Sequence, residues 1–231
     1  MEKSAIELVV FDIAGTTVKD ENYVHKALIN AMSSFGYDVS LEEANAVMGY
    51  PKPFAINELL KLKENEKEII HKNYIDKIHT VFVEEMIDFY KNNNLVKACD
   101  NAEETFILLK KLGIKVALDT GFSKNITDII IERLKWKENG LIDGYISSDE
   151  VEEGRPYPYM IHTLMSQFNI SSSEAVAKVG DTISDLKEGN NAACKYVIGI
   201  TTGAFTKEQL QQSPHTHLIN NLLEVVSIVA E

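Results

Sequence analysis

The stretch IELVVFDIAGTT, residues 6–17, decides which fold the rest of the chain can adopt. Its first half is a continuous apolar run that ends in Asp12, a pattern typical of a strand buried on both faces of a parallel sheet. Gly15 then marks a turn, and Thr16 and Thr17 follow it. Such a turn can present N–H groups and hydroxyls to an oxyanion, and a carboxylate beside them can attack phosphorus to form an aspartyl-phosphate.

Four further apolar runs repeat the pattern of this first strand. Segments with helical apolar spacing separate them, which predicts right-handed crossovers and a doubly wound α/β sheet. Because ligands of such sheets bind beyond the carboxyl ends of the strands, we expect the polar residues at those ends to converge on one rim. The four runs are IKVALDTG (114–121), IDGYISS (142–148), AVAKVGD (175–181) and KYVIGITTG (195–203).

One region breaks the alternation of strands and helices. Residues 19–94 show helical periodicity only, including a long stretch at residues 66–90, and they end in the polar segment KNNN. We therefore predict two domains. A Rossmann-like core is made of residues 1–18 and 95–231, and an all-helical cap is made of residues 19–94.

The composition is that of an ordinary globular protein of 231 residues, 45% of them hydrophobic and 25% charged. The net charge of −12 argues against nucleic acid or an anionic membrane as a partner, because either would require a basic face. Cys99 and Cys194 provide neither a zinc motif nor a disulfide framework, and the first residues lack the apolar stretch of a signal peptide. We therefore expect a cytoplasmic protein, either a monomer or a homodimer.

Two carboxylates in VGDTISD (179–185) complement Asp12. A bare carboxylate would repel a dianionic substrate, so the site requires a cation, and Mg²⁺ is bound by few carboxylates together with waters and phosphate oxygens. Asp12, the Ala14 carbonyl and Asp181 could form that partial shell, with Asp185 orienting a water. Asp185 could instead cap the helix that follows it.

Two other polar positions suit phosphoryl transfer. Thr120 can hydrogen-bond a transferring phosphoryl group, with the Gly121 amide beside it. Arg155 lies between turn signals in EGRPYP, and we expect it to begin a helix with Pro156 in the first turn. As a fixed cation, Arg155 could neutralise the charge of the transition state. Its alternative is an arginine on the surface.

The six histidines show no spacing that indicates a metal site. Four fall on helical patterns and are expected to be surface or core residues, namely His25, His71, His79 and His162. The other two, His215 and His217, flank a threonine in an expected loop.

Four motifs occur in a fixed order along the chain: FDIAGTT, the strand-end TG at 120–121, GRPYP (154–158) and VGDTISD. Together they resemble the core motifs of the haloacid dehalogenase superfamily, and the helical insertion resembles that superfamily's smaller cap type. Within the superfamily, the closest likeness is to phosphonoacetaldehyde hydrolases, or phosphonatases, and their phosphonatase-like relatives. That narrower resemblance depends on alanine at position 14, arginine in GRPYP and the segment VGDTISDLKEGNNA.

The resemblance implies a role for each matching residue. Asp12 would be the nucleophile, Thr120 the phosphoryl-binding hydroxyl and Arg155 the fixed cation. The Mg²⁺ ligands would be Asp12, the Ala14 carbonyl and Asp181, with Asp185 in support. In the cap of phosphonatases a lysine forms a Schiff base with the aldehyde substrate, and MGYPK matches that motif. The implied substrate-binding and imine-forming residues are Gly15, Thr16, Met48, Gly49, Lys52 and Gly121.

Ala14 and Lys52 fit one another chemically. Phosphate monoesterases of the superfamily use an aspartate at the position of Ala14 to protonate a leaving alkoxide. Cleavage of a P–C bond releases a carbanion, and an iminium formed with Lys52 can take up those electrons without such an acid. Lys52 could instead bind the anionic end of a substrate as an ion pair.

Three departures from the phosphonatase pattern lie around Lys52. Ala55 stands where phosphonatases have a histidine, Phe122 stands where they have a tyrosine, and Pro53 follows the lysine directly. These changes remove polar groups from the expected substrate pocket and leave the phosphoryl-binding residues intact.

We therefore predict a Mg²⁺-dependent hydrolase that acts on a small phosphonate or phosphorylated metabolite through an aspartyl-phosphate. A phosphomonoesterase of phosphoglycolate-phosphatase type is the first alternative. A non-catalytic protein that binds a phosphorylated metabolite is the second.

Overall fold

The computed structural model describes residues 6–64 and 72–230. Its centre is a six-stranded parallel sheet with the strand order β3-β2-β1-β4-β5-β6. This is the Rossmann-like, doubly wound architecture that the alternating pattern predicts, and that prediction is confirmed. The strands are β1 (Leu8–Asp12), β2 (Lys115–Thr120), β3 (Gly144–Ser147), β4 (Val176–Gly180), β5 (Tyr196–Ile200) and β6 (His217–Ile219).

Helices account for most of the remaining described chain. Of the helices in residues 6–64 and 72–230, none has the length and apolarity needed to cross a membrane. They are α1 (Tyr23–Ser33), α2 (Leu41–Ala46), α3 (Lys52–Lys63), α4 (Lys72–Asn92), α5 (Ala102–Lys111), α6 (Lys124–Leu134), α7 (Tyr159–Gln167), α8 (Ile183–Asn191), α9 (Lys207–Leu210) and α10 (Glu224–Ala230).

The helices α1 to α4 fill the insertion between β1 and β2. Within the described part of residues 19–94 no strand occurs, as predicted. The first part of the long predicted helix, including His71, lies outside the described residues. The far end of the insertion is tied to the core, because Arg133 on α6 donates hydrogen bonds of 2.6–2.7 Å to the carbonyls of Tyr90 and Lys91 in the last turn of α4 and of Asn93 just after it. The domain boundaries themselves remain a prediction.

The central strand β1 shows why the first apolar run determines the fold. All five of its residues are buried, and successive side chains point to opposite faces of the sheet. Val9 and Phe11 join the larger hydrophobic cluster, whereas Leu8 and Val10 join a second cluster with α7. A strand that must bury both faces needs helices on both sides, and it places Asp12 at the carboxyl edge between β2 and β4.

The structure corrects two predictions about local elements. His217 begins the edge strand β6, which pairs with β5, and does not lie in a loop. This strand has only three residues and therefore lacks the apolar run that marks the others. The helix after Arg155 begins at Tyr159, because Pro156 and its neighbours form turns. Arg155 itself precedes this helix, and buried ion pairs hold its guanidinium.

Candidate active site

Beyond the carboxyl end of the sheet, α1, α3 and the core loops enclose one small cavity. The cavity is small, with a volume of about 30 Å³. Most of the predicted site residues meet at its wall. The core contributes Asp12, Ala14, Thr120, Gly121, Arg155 and Asp181, and the insertion contributes Met48, Gly49 and Lys52.

Asp12 ends β1 and is 5% exposed. Its Oδ1 lies 2.7 Å from Nη1 of Arg155. Burial raises the pKa of Asp12 to about 6, although the charge of Arg155 acts in the opposite direction. Thr120 ends the neighbouring strand, and its Oγ1 accepts a hydrogen bond of 3.2 Å from the Phe122 N–H. The hydroxyl proton of Thr120 is therefore left for a phosphoryl oxygen.

Two donors of the turn after Asp12 are used within the protein, so the oxyanion-binding role predicted for Gly15 and Thr16 stays a prediction. The Gly15 N–H donates to the Val18 carbonyl at 2.9 Å, and the Thr16 hydroxyl donates to Asp181 Oδ1 at 3.1 Å. Neither Gly15 nor Thr16 lines the cavity. Gly15 has a φ of 88°, and a Cβ there would collide with Asp181. The Thr16 hydroxyl therefore helps to orient Asp181, and the lack of a side chain at Gly15 leaves room for the Asp181 carboxylate.

Arg155 is buried, so the surface alternative is wrong. Its Nη1 lies 2.9 Å from Asp185 Oδ1 as well as near Asp12, and its Nε lies 3.0 Å from Glu188 Oε2. Its Nη2 donates to the Asp119 carbonyl at 3.0 Å and to the carboxylate of the same residue. These contacts on three sides fix the guanidinium with one edge toward the nucleophile.

Sequence reasoning missed three members of this buried cluster, Asp119, Lys178 and Glu188. Lys178 forms ion pairs with Asp119, with Asp185 at 3.2 Å and with Glu188 at 3.0 Å. Burial raises the pKa of Glu188 to about 8. A charged residue within an apolar strand, as in VALDT and VAKVG, is the signal that could have found Asp119 and Lys178.

Three carboxylates suit a divalent cation. Oxygens of Asp12, Asp181 and Asp185 lie within 4.8 Å of one another. Among the described residues, no lysine, arginine or histidine forms an ion pair with Asp181, and burial together with the charges of Asp12 and Asp185 raises its pKa well above the usual range. The charge of Asp181 is therefore not balanced by a neighbouring cation among the described residues, and a divalent cation bound here would balance it. A second set of carboxylates, which overlaps the first and includes Asp119 and Glu188, is already paired with Arg155 and Lys178.

Asp185 caps α8, which is the alternative role that the sequence allows for it. Its Oδ2 accepts the Thr182 N–H at 3.1 Å in a capping box at the start of α8. Its Oδ1 faces the two buried cations. Asp185 does not line the cavity, so a role beside the metal stays a prediction.

Lys52 is the first residue of α3 and is 3% exposed. Its Nζ lies 5.8 Å from the ring centroid of Phe82 and 5.7 Å from that of Phe122. Within the described residues, Lys52 makes one hydrogen bond, to the Tyr50 carbonyl at 3.4 Å. Burial lowers the pKa of Lys52 to about 8, with Asp12 acting in the opposite direction.

Two glycines let the cap loop touch the core. Gly49 has a φ of 80°, and a Cβ there would collide with the hydroxyls of Thr182 and Ser184. A Cβ at Gly121 would lie 2.8 Å from the Tyr50 carbonyl oxygen and 2.9 Å from that of Gly49. The cap loop therefore packs directly against the core where the cavity lies.

Three polar residues on the cavity wall were not predicted as site residues, Asp20, His25 and Thr182. Asp20 Oδ1 accepts the N–H groups of Tyr23 at 2.7 Å and Val24 at 3.2 Å, so this carboxylate caps α1. His25 was predicted to be a surface or core residue, and it is buried but lines the cavity. Helical periodicity marks His25 as inward-facing but cannot show what it faces.

Comparison with known proteins agrees with this geometry. The sequence model described as haloacid dehalogenase-like hydrolase matches residues 9–199. A phosphonoacetaldehyde hydrolase from Parabacteroides distasonis is 32% identical over 208 residues, which cover 85% of this chain and 76% of the relative.

Two solved structures are similar in fold. A phosphonoacetaldehyde hydrolase-like protein from Oleispira antarctica has a TM-score of 0.85 at 19% identity, over 99% of this chain and 94% of that one. A protein described as a predicted phosphoglycolate phosphatase from Haemophilus somnus has a TM-score of 0.79 at 19% identity, over 97% and 98% of the two chains. At these identities the likeness shows the fold alone.

Proposed function

The chain belongs to the haloacid dehalogenase-like hydrolase family, and from that premise we propose that it is a Mg²⁺-dependent hydrolase of a small phosphonate. The observation that carries the proposal is the position of Lys52. It is buried in the same cavity as Asp12, between two phenyl rings and without a carboxylate partner among the described residues. Such a lysine is suited to form an imine.

The core residues perform the phosphoryl transfer. The Asp12 carboxylate attacks phosphorus in line and forms an aspartyl-phosphate, which water then hydrolyses to phosphate. Arg155 neutralises charge on the phosphoryl oxygens, and the Thr120 hydroxyl donates to one of them. A Mg²⁺ ion held by Asp12, the Ala14 carbonyl and Asp181 would reduce the repulsion between the carboxylates and a dianionic substrate.

Lys52 supplies the electron sink for P–C cleavage. Its neutral amine condenses with the substrate carbonyl, releases one water and gives an iminium. When Asp12 displaces the carbon from phosphorus, the P–C bonding pair moves to the iminium nitrogen and leaves an enamine. Protonation of the enamine carbon and hydrolysis then return Lys52 and the dephosphorylated carbonyl product. With a pKa of about 8, roughly a tenth of the amine is neutral at pH 7.

A phosphomonoesterase is the second candidate. Phe122 and Ala55 favour it, because these two positions place no polar side chain beside Lys52 where phosphonatases have tyrosine and histidine. In that case Lys52 would bind the anionic end of the substrate. Ala14 argues against this alternative, because the leaving alkoxide would have no acid beside the nucleophile. Family membership argues against a non-catalytic binding protein.

The test is phosphate release, with and without Mg²⁺, from phosphonoacetaldehyde and from phosphomonoesters that include phosphoglycolate. Wild type is compared with Lys52→Ala and with Lys61→Ala, an exposed lysine of the same helix. We expect Mg²⁺-dependent release from the phosphonate that Lys52→Ala abolishes and Lys61→Ala retains. Release from esters that survives Lys52→Ala would establish the phosphomonoesterase, and no Mg²⁺-dependent release at all would refute the hydrolase.

A further inference from the structure

Asp20 lies where two cavities of the molecule meet. One is the small cavity that contains Lys52. The other, which we call the outer cavity, has a volume of about 450 Å³, and its wall includes the exposed residues Glu21 and Asp100. Among residues 6–64 and 72–230, Asp20 alone lines both. Its side chain therefore stands between the site and water at the surface.

The two oxygens of the Asp20 carboxylate have different surroundings. Oδ1 accepts the N–H groups of Tyr23 and Val24, which fixes the carboxylate at the start of α1. Oδ2 has no hydrogen bond or ion pair within the described residues, and it is not one of the unpaired atoms that protein encloses completely. This oxygen can therefore accept a proton from water or a ligand and release it again.

The charges of Asp20 and Lys52 act on one another, although no ion pair joins the two residues in the described chain. Burial raises the pKa of Asp20 above its usual range, while the hydrogen bonds from Val24 and Tyr23 and the charges of His25 and Lys52 act in the opposite direction. The charge of Asp20 in turn opposes the lowering of the Lys52 pKa. The space between the carboxylate and the amine is left to water or to a substrate.

The chemistry proposed for Lys52 needs a group that carries protons. The hydroxyl of a carbinolamine must receive a proton before it leaves as water, and a water that adds to an iminium must lose one. A carboxyl group can perform both transfers, as an acid in the first and as a base in the second.

The other titratable side chains on this cavity wall are less suited to that task. In the proposed function Asp12 and Asp181 serve the nucleophilic attack and the metal, and the guanidinium of Arg155 keeps its proton. His25 Nε2 is hydrogen-bonded within the cap, and its Nδ1 is enclosed by protein atoms. Asp20 is the remaining carboxyl group, and water in the outer cavity can exchange its proton.

We propose, building on the function above, that Asp20 is the acid and base of the imine chemistry at Lys52 and exchanges its proton with water in the outer cavity. The neutral amine adds to the substrate carbonyl carbon, and one N–H proton passes to the oxygen, which gives a carbinolamine. Protonated Asp20 gives its proton to that hydroxyl. The C–O bond then breaks, water leaves with the bonding pair, and the nitrogen lone pair forms the C=N bond of the iminium.

Hydrolysis reverses these transfers. After P–C cleavage and protonation of the enamine carbon, water adds to the iminium carbon. The Asp20 carboxylate takes a proton from that water, which restores the acid and leaves a carbinolamine. Collapse of the carbinolamine releases the carbonyl product and the Lys52 amine. Over the cycle Asp20 gives one proton and recovers one.

Acetaldehyde tests the proposal, because it can form the imine without cleavage of a P–C bond. The Mg²⁺-loaded protein is mixed with acetaldehyde and quenched with borohydride at increasing times, and the two-carbon adduct on Lys52 is measured by peptide mass spectrometry. Asp20→Asn keeps an oxygen for the N–H groups that start α1 but cannot carry the proton. We expect its rate of adduct formation to fall by about 10²-fold or more. The final yield should stay within about threefold of wild type, because a catalyst changes the rate and not the equilibrium.

Two further variants separate proton transfer from structure. Asp20→Ser also retains an oxygen that suits a helix start, so its rate should fall as that of Asp20→Asn does. Asp100→Asn removes an exposed carboxylate that lines the outer cavity only. This matched control should form the adduct at the wild-type rate.

An adduct that forms as fast in Asp20→Asn as in wild type would overturn the proposal. Equal losses of rate and of final yield would also overturn it, since Asp20 would then only maintain the shape of the cavity. If wild type forms the adduct and releases phosphate from phosphonoacetaldehyde, either result removes the role of Asp20 alone. If wild type forms no adduct on Lys52, the imine of the proposed function fails, and the role of Asp20 fails with it.

Discussion

The floor and the roof of the cavity differ in how completely their charges are paired. We define the floor as Asp12 and Arg155 on the cavity wall together with Asp119, Lys178 and Glu188, which belong to the same buried ion-pair network but do not line the cavity. Both cations of the floor have several carboxylate partners, and all five residues are buried. In the roof, formed by His25 and Lys52, the His25 Nδ1 has no hydrogen-bond partner in the described part of the chain, and the ammonium faces phenyl rings.

This difference separates what is fixed from what can vary. A buried charge network tolerates few substitutions, because removal of one member leaves another charge unpaired. The step that we propose for the floor is phosphoryl transfer. The roof has few polar atoms and no charged partner for Lys52 among the described residues, so we expect substitutions there to change which substrate fits.

The largest effect is expected for Asp12→Asn in the floor. Phosphate release should fall by at least about 10⁴-fold, because an amide cannot form the aspartyl-phosphate. Arg155 keeps three carboxylate partners, so the protein should stay folded. Single-turnover phosphate release measures the effect, with the exposed Asp88→Asn as control. A rate within tenfold of wild type would mean that Asp12 is not the nucleophile.

The second effect concerns stability and compares a buried lysine with an exposed one. Lys178→Met should lower the free energy of unfolding by about 3–5 kcal/mol, because three carboxylates lose a buried cation. Lys115→Met should cost less than about 1 kcal/mol, because the side chain of Lys115 is half exposed and its pair with Asp143 is screened. Urea unfolding at pH 7 measures both. Equal losses would show that the floor is not a stabilising network.

The third effect tests the metal set. Mg²⁺ at about one hundred times its dissociation constant should raise the free energy of unfolding of wild type by about 2.7 kcal/mol. Asp181→Asn should lose most of that increase, because it removes the carboxylate that lacks an ion pair. Thermal unfolding with and without Mg²⁺ measures the difference. A full response in Asp181→Asn would place the ion elsewhere.

The smallest effect is the pH dependence of Lys52 in the roof. Burial lowers its pKa to about 8, so the neutral fraction rises as pH increases and levels off above that value. Reductive methylation of Lys52 by formaldehyde and cyanoborohydride, followed by peptide mass spectrometry, should become about 25-fold faster from pH 6.5 to 8.5 and then level off. A rate that keeps rising in proportion up to pH 10 would indicate an ordinary lysine.

Sequence patterns predicted the sheet because each strand buried on both faces leaves an apolar run, as in β1. They missed β6, whose three residues at an edge leave no such run. They predicted one site for Asp12, Thr120, Arg155 and Asp181, because a motif marks each, and the structure brings all four to one cavity. They could not show that the Gly15 N–H and the Thr16 hydroxyl have partners within the protein, because no pattern shows whether a turn uses its own donors.

The residues that sequence reasoning missed are those whose meaning depends on tertiary contact. Glu188 lies on α8 among residues typical of any helix, and only packing places it beside Arg155. His25 looks like a core histidine until the helix is placed over the cavity. Single residues of this kind carry no spacing that could mark them.

The imine at Lys52 is the central claim, and trapping it is the most direct test. Wild-type protein is treated with phosphonoacetaldehyde and borohydride, digested and analysed by mass spectrometry, with Lys52→Arg as the matched control. We predict a reduced two-carbon adduct on Lys52, together with loss of phosphate release. Lys52→Arg should form no such adduct, and its phosphate release, low from the start, should not fall further on treatment. If Lys52 stays unmodified while phosphate is released, the imine mechanism is wrong and Lys52 only binds the substrate anion.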